Sequence, residues 1–193
     1  MNRVGVFCGS SPGGDPDYAI LTVELGHLLA ARGIELVYGG GDVGLMGTVA
    51  DAVMDAGGSV TGVIPSGLFS REVAHRGITN LVEVASMHDR KAQMYEMADG
   101  FIALPGGFGT LEELAEASTW TQLGIHNKPV VLLDRDGFWS GLVDWLDAAV
   151  SARFLKDRNR RIIMAAGSPE EALDVMAGWA EPYAEKWLDA DEA

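Results

Sequence analysis

At 193 residues, with 48% hydrophobic and 22% charged residues, the chain has the composition of one globular domain and too little length for two ordinary ones. Its formal net charge of −14 excludes the basic stripe that nucleic acid or an anionic membrane surface requires, yet leaves room for a small phosphorylated ligand held by backbone amides. No run approaches the roughly 18 apolar residues that span a bilayer, Arg3–Phe7 is too short for a signal sequence, and the single cysteine, Cys8, rules out an intrachain disulfide, so a cytoplasmic protein is expected.

Short apolar runs alternate with helical stretches along the whole chain. In order, the pattern predicts a strand at Arg3–Phe7, a helix at Pro16–Ala31, a strand at Ile34–Tyr38, a helix at Leu45–Ala56 and a strand at Ser59–Ile64. Pro65–Asn80 has weak periodicity and reads as a long functional loop. Beyond it come a strand at Leu81–Ala85, a helix at Met87–Ala98, a strand at Gly100–Leu104 and a helix at Thr110–Leu123. A strand at Val130–Leu133, a helix at Trp139–Ala149, a seventh strand at Arg161–Met164 and a helix from Pro169 towards Trp187 complete the series, with Asp189–Ala193 expected to fray. Most strands are too apolar to alternate cleanly, as strands covered on both faces are. Strand–helix–strand repetition requires right-handed crossovers. The expected fold is α/β: a single domain over residues 1–193, a doubly wound, Rossmann-like parallel sheet with helices on both faces.

Ligands of such a sheet bind beyond the carboxyl ends of the strands. Three of those turns are glycine-rich: Gly9–Gly14, Gly39–Gly44 and Pro105–Thr110. They form either one extended site or ordinary tight strand-to-helix turns. Gly39, Gly41 and Gly44 match the dinucleotide fingerprint in placement, but the next strand ends in Val63-Ile64-Pro65-Ser66, with no acid to take a ribose hydroxyl, which argues against a dehydrogenase. No G-x-x-x-x-G-K-[ST] occurs.

Pro105-Gly106-Gly107-Phe108-Gly109-Thr110 carries more information. Its glycines let several amides point into one concavity at a helix start, where the macrodipole adds positive potential and a 5′-phosphate would fit. One turn on lie Glu112 and Glu113. Thr110-x-x-Glu113 also reads as a capping box. The functional alternative places a carboxylate about 5 Å along the helix from the phosphate amides, facing the sugar because it would repel the phosphate.

Pro105–Glu113 is the pattern P-G-G-x-G-T-x-x-E, and it resembles the signature of the LOG family of cytokinin riboside 5′-monophosphate phosphoribohydrolases, whose older label is lysine decarboxylase-like. Phe7–Ser11, Gly39–Gly47, Gly62–Pro65, Met87–Lys91 and Thr119–Gly124 resemble family segments in the family's order, fading after about Ile163. The resemblance implies nucleotide contacts at Glu72, Arg90, Lys91, Gly107, Phe108, Gly109, Thr110, Leu111, Glu112, Glu113 and Thr119, with Arg90 and Glu113 as the catalytic pair. It also implies a homodimer in which helices of two subunits help complete each site. The implied substrate is a nucleoside 5′-monophosphate, and neither cofactor nor metal is called for. On the residues alone Arg90 reads as a surface or capping charge; beside the glycine turn its planar guanidinium suits bidentate contact with phosphate or carboxylate.

Other reactive residues have plainer readings. Cys8, at the end of a strand, is expected to be a buried thiol. His27, His75, His88 and His126 show no metal-ligand spacing. Trp120, Trp139, Trp145, Trp179 and Trp187 are expected in the core or a subunit interface, with a base pocket as the alternative for Trp120. Lys91, Lys128, Lys156 and Lys186 sit in no setting that suggests the Schiff-base lysine of a decarboxylase. A non-catalytic nucleotide or cofactor carrier using the same cradle is the rival reading, and a carboxylate beside the sugar argues against it.

Overall fold

The computed structural model describes residues 1–68 and 74–180. Seven strands, β1 (Arg3–Phe7), β2 (Glu35–Tyr38), β3 (Val60–Pro65), β4 (Asn80–Val84), β5 (Gly100–Ala103), β6 (Val130–Leu133) and β7 (Ile163–Ala166), form one parallel sheet in the order β4-β3-β2-β1-β5-β6-β7. Between them run α1 (Pro16–Ala31), α2 (Gly44–Asp55), α3 (Met87–Met97), α4 (Phe108–Gln122), α5 (Ser140–Ser151) and the short α6 (Asp157–Arg160); α7 (Pro169–Ala177) follows β7.

Alternate residues of each strand feed two separate apolar layers. Val4, Val6, Leu36, Ile102 and Val131 pack with Leu25 of α1, Val49 of α2 and Leu173 of α7. Phe7, Val37, Phe101 and Val130 face the other way, onto Met94 and Tyr95 of α3 and Leu114 and Ala117 of α4. Coverage of both faces explains why the strands read as continuous apolar runs. The strand order reverses at β1, which pairs in parallel with β2 on one side (Val4↔Leu36) and β5 on the other (Val4↔Gly100). That reversal opens a crevice between the turns after β1 and β5.

Differences from the sequence reading are local. Pro65–Asn80 contains a 3-10 turn, Ser66–Leu68, and its last residue already belongs to β4. α6 was not foreseen, since four residues carry no helical periodicity. α7 ends at Ala177 with Gly178 as its cap, short of the predicted helix; Trp187 and the tail lie outside the described residues. Among the described residues no helix is long and apolar enough to cross a membrane.

Candidate active site

The three glycine turns meet at Gly9. Its N–H donates to Pro105 O (3.1 Å), and its carbonyl accepts from Leu45 N (3.0 Å). Gly44 has φ +59, and a Cβ there would lie 2.3 Å from the Ser10 carbonyl carbon. The turn that imitates a dinucleotide fingerprint is therefore packed against the first glycine loop by protein.

α4 starts two residues earlier than predicted. Gly107 is its N-cap and the first intrahelical bond is Leu111 N to Gly107 O (3.0 Å), so Thr110 is the third helical residue. The capping-box reading is overturned: Thr110 is buried inside the helix instead of standing before it. By helix geometry, the amides from Gly107 to Thr110 have no partner within α4. A Cβ on Gly106 would lie 2.1 Å from Thr110 Oγ1, so that glycine makes room for the threonine; at Gly107 and Gly109, among the described residues, nothing beyond the adjoining chain lies within 4 Å of the Cβ position. Both are exposed, and Phe108 between them is 93% exposed. The cradle thus offers amides on an open surface at a positive helix end.

Arg90 reaches the same carboxyl edge from α3. Ser86 caps that helix, accepting from Asp89 N (3.1 Å), which places Arg90 one turn in. Only 6% of Arg90 is exposed. Its Nη2 donates to Gly39 O (2.8 Å) and its Nε to Val63 O (3.2 Å), the carboxyl ends of β2 and β3. A Cβ on Gly39 would lie 1.8 Å from Nη2. Gly39 is glycine because a guanidinium lies across it.

Glu113 is half-buried on α4, and its backbone carbonyl accepts from the Tyr95 hydroxyl (3.2 Å). Burial holds the Cys8 thiol far above its ordinary range; the Glu113 carboxylate adds to that rise and the Arg90 guanidinium opposes it. The thiol itself stays protonated, which suits packing and not nucleophilic attack.

Lys91 and Glu112 are engaged with each other. The Lys91 ammonium, on a residue only 4% exposed, pairs with Glu112 Oε1 and lies 2.9 Å from Glu116 Oε2. Burial alone would lower its pKa, but the hydrogen bonds and charges of the two glutamates outweigh that and hold it above the ordinary value. The Tyr95 hydroxyl also reaches Glu116 Oε2 (3.0 Å), so α3 and α4 are tied together at the turn that carries Glu113.

The remaining expected residues divide by place. Leu111 and Thr119 line a groove of about 880 Å³ between α4 and α5, with Trp145 and Phe154, which are 64% and 90% exposed, on its walls. Thr119 donates to Ala115 O (2.7 Å) and stands nine residues, roughly 13 Å, along α4 from Thr110. Glu72 lies outside the described residues. Trp139 is buried in the core, and Trp120 packs edge-on against Tyr95 (5.0 Å). One cluster escaped the sequence reading: Asp42, Asp51 and His75 come together with their side-chain ligand atoms within 4.8 Å of one another. Separations of 9 and 24 residues gave no spacing signal.

Comparison with known proteins fits this geometry. Residues 46–176 match the family described as "Possible lysine decarboxylase". The chain is 52% identical over 183 residues to the cytokinin riboside 5′-monophosphate phosphoribohydrolase LOG of Oryza sativa subsp. japonica, covering 95% of this chain and 76% of that protein. The chain belongs to the LOG family. A second LOG relative, the phosphoribohydrolase LOG2 of Arabidopsis thaliana, is 49% identical over 176 residues, 91% of this chain and 83% of that one. Among solved structures, the molybdenum cofactor binding protein from the phototrophic bacterium Rippkaea orientalis superposes with a TM-score of 0.68 at 24% identity, covering 92% of this chain and 96% of that one. That likeness to a LOG-family chain is one of fold.

Proposed function

We propose that this chain hydrolyses the N-glycosidic bond of a nucleoside 5′-monophosphate, either a cytokinin riboside 5′-monophosphate (an N6-modified AMP) or AMP itself, releasing free base and ribose 5-phosphate. The observation that supports the proposal is the open amides at the start of α4, with the half-buried Glu113 a turn beyond them and Arg90 buried across the Gly39 turn of the same carboxyl edge. The identity of about 50% to named phosphoribohydrolases supports it.

In this mechanism the amides from Gly107 to Thr110 hold the 5′-phosphate, with Phe108 and Leu111 beside them. Binding energy at that remote group aligns the reacting carbon. The C1′–N bond breaks with its electron pair leaving on the base, and the ribose becomes oxocarbenium-like. Glu113, a turn beyond the cradle, stabilises that charge and takes a proton from the water whose oxygen bonds to C1′. The base leaves with a proton in exchange. Arg90 orients the Glu113 carboxylate and the phosphate or assists the departing base. Glu112 or Glu72 holds ribose hydroxyls, and Lys91 keeps Glu112 in place. The protonated, ion-paired Lys91 is unsuited to Schiff-base chemistry, which requires a neutral amine, so the decarboxylase label is set aside.

A homodimer belongs to the same proposal. The apolar groove holding Thr119 is the natural seat for a second copy, whose helices would then lie against Leu111 and the site.

The test is to incubate the protein with AMP and with isopentenyladenosine monophosphate, each beside its dephosphorylated nucleoside, and to quantify released base by chromatography. Release from the monophosphates alone, lost in folded Glu113→Gln and Arg90→Ala variants, is the expected result. Tight binding without release would replace this reading with the carrier.

A further inference from the structure

His75 is used by none of the chemistry above, yet it is 8% exposed and ties three parts of the carboxyl edge together. Its backbone N–H donates to Gly40 O (2.9 Å), and the preceding Ala74 forms an isolated antiparallel bridge with Gly41. Its ring nitrogen Nε2 lies 2.9 Å from Asp51 Oδ1 on α2 and 3.5 Å from Asp42 Oδ1 in the glycine turn. The other ring nitrogen, Nδ1, accepts from Gly77 N (3.3 Å). A nitrogen that accepts an N–H carries no proton of its own, which leaves Nε2 as the ring nitrogen that donates towards the two aspartates.

The turn gripped in this way is the one on which Arg90 rests. Gly39 O accepts from Arg90 Nη2, Gly40 O from the His75 backbone, Gly41 is bridged to Ala74, and Asp42 faces the ring. Gly40 has φ +75, a left-handed conformation that glycine allows but does not by itself fix. Four successive residues are therefore fixed from two sides, by the guanidinium and by His75.

We infer that His75 is a positioning residue for the hydrolytic reaction: its Nε2–H clasp on Asp51 and Asp42 holds the Gly39–Asp42 turn in the shape that places the Arg90 guanidinium. The inference rests on the hydrolase reading. The alternative for the same three side chains is a divalent cation site. The ring argues against it, because a metal at Nε2 would need that nitrogen's proton removed, and metal-bound histidines ordinarily donate from the other ring nitrogen, whereas here Nδ1 accepts.

The experiment combines kinetics with a spectroscopic readout on the full chain. His75→Gln puts an amide N–H close to the position of Nε2 and keeps the donor; His75→Ala and Asp51→Ala remove one side of the clasp. The expected result is a kcat about ten- to a hundredfold lower for both alanine variants, recovery to within about threefold for His75→Gln, and a KM shift of less than about threefold throughout, because the phosphate cradle lies on α4. Nitrogen-15 correlation spectra of histidine-labelled protein at pH 7.5 should show the Nε2–H tautomer in the signal that His75→Gln abolishes. Any of four results overturns the inference: unchanged kcat in His75→Ala, equal loss in the glutamine and alanine variants, an Nδ1–H or doubly protonated ring, or binding of Zn²⁺ or Mg²⁺ that Asp42→Asn removes. Should the wild-type protein release no base, the hydrolase reading fails by itself and the tautomer measurement still decides the clasp.

Discussion

Replacing Gly39 by alanine isolates the contact on which the site depends. Gly39 has no positive φ, so its backbone accepts an alanine, and the cost arises from the new methyl lying 1.8 Å from Arg90 Nη2. The guanidinium must move and lose its 2.8 Å bond to Gly39 O, a charged hydrogen bond in a buried setting. One such bond is worth about 1.5–3 kcal/mol. For a chain of this length that corresponds to a fall in Tm of roughly 3–12 °C. Displacement of a catalytic group by about 1 Å costs on the order of 100-fold in rate, so kcat should fall by about that factor with little change in KM. The assay is a double-mutant cycle with Arg90→Ala read by thermal unfolding, with base release measured on Gly39→Ala against the wild type. If the methyl acts through the guanidinium, Gly39→Ala in the Arg90→Ala background costs less than about 0.5 kcal/mol. An equal loss of stability in both backgrounds, or a Gly39→Ala enzyme with wild-type kcat, refutes the reasoning.

Three further outcomes are expected. Lys91→Met leaves Glu112 and Glu116 without their shared cation; because both carboxylates reach water, the cost is about 1–2 kcal/mol, seen as a lower Tm, and an unchanged Tm would show that the pair carries nothing. Burial, with help from Lys128, lowers the His126 pKa to about 4, below its ordinary 6.5, so the fold binds fewer protons than the unfolded chain between those values. The stability this group contributes is complete above about pH 6.5 and lost as pH falls towards 4; urea unfolding should show a smaller loss across that window in His126→Phe than in the wild type, and identical slopes would contradict it. Trp145→Asp, in the groove between α4 and α5, should turn the proposed homodimer into a monomer in sedimentation measurements, and an unaffected dimer would place the interface elsewhere.

The sheet was legible because its inner strands are buried on both faces and therefore read as plain apolar runs, most with glycine or proline beside them. Helix starts were less legible where two local patterns compete. Thr110-x-x-Glu113 imitates a capping box, yet the helix begins at Phe108 with Gly107 as its N-cap, since Phe108 and Gly109 take helical backbone without any side-chain cap. Gly39 and Gly44 imitate a dinucleotide fingerprint for a reason invisible in one dimension: the atoms that occupy their Cβ positions belong to Arg90 and Ser10, 51 and 34 residues away. The same blindness hid the Asp42–Asp51–His75 cluster. What pointed to Arg90 and Glu113 was the family pattern; the fold brings their helices to one edge because β1 lies at the centre of the sheet, flanked by the turns that feed α2 and α4.

The glycines of the carboxyl edge thus do two different jobs. Gly39, Gly44 and Gly106 are small because protein atoms stand where a side chain would be, and substitution there disturbs Arg90, the first loop or Thr110. Gly107 and Gly109 have open space at the same position among the described residues, whose packing gives no reason for them to be glycine. An approaching anion does, because its oxygens must come within hydrogen-bond distance of the amides, and a side chain would stand in their way. On the proposed function, this asymmetry is how a protein of net charge −14 would hold a phosphate without a basic surface. The amides of one exposed helix start supply the partial charges, and one buried guanidinium, braced by carbonyls, supplies the full charge where the ribose would meet Glu113.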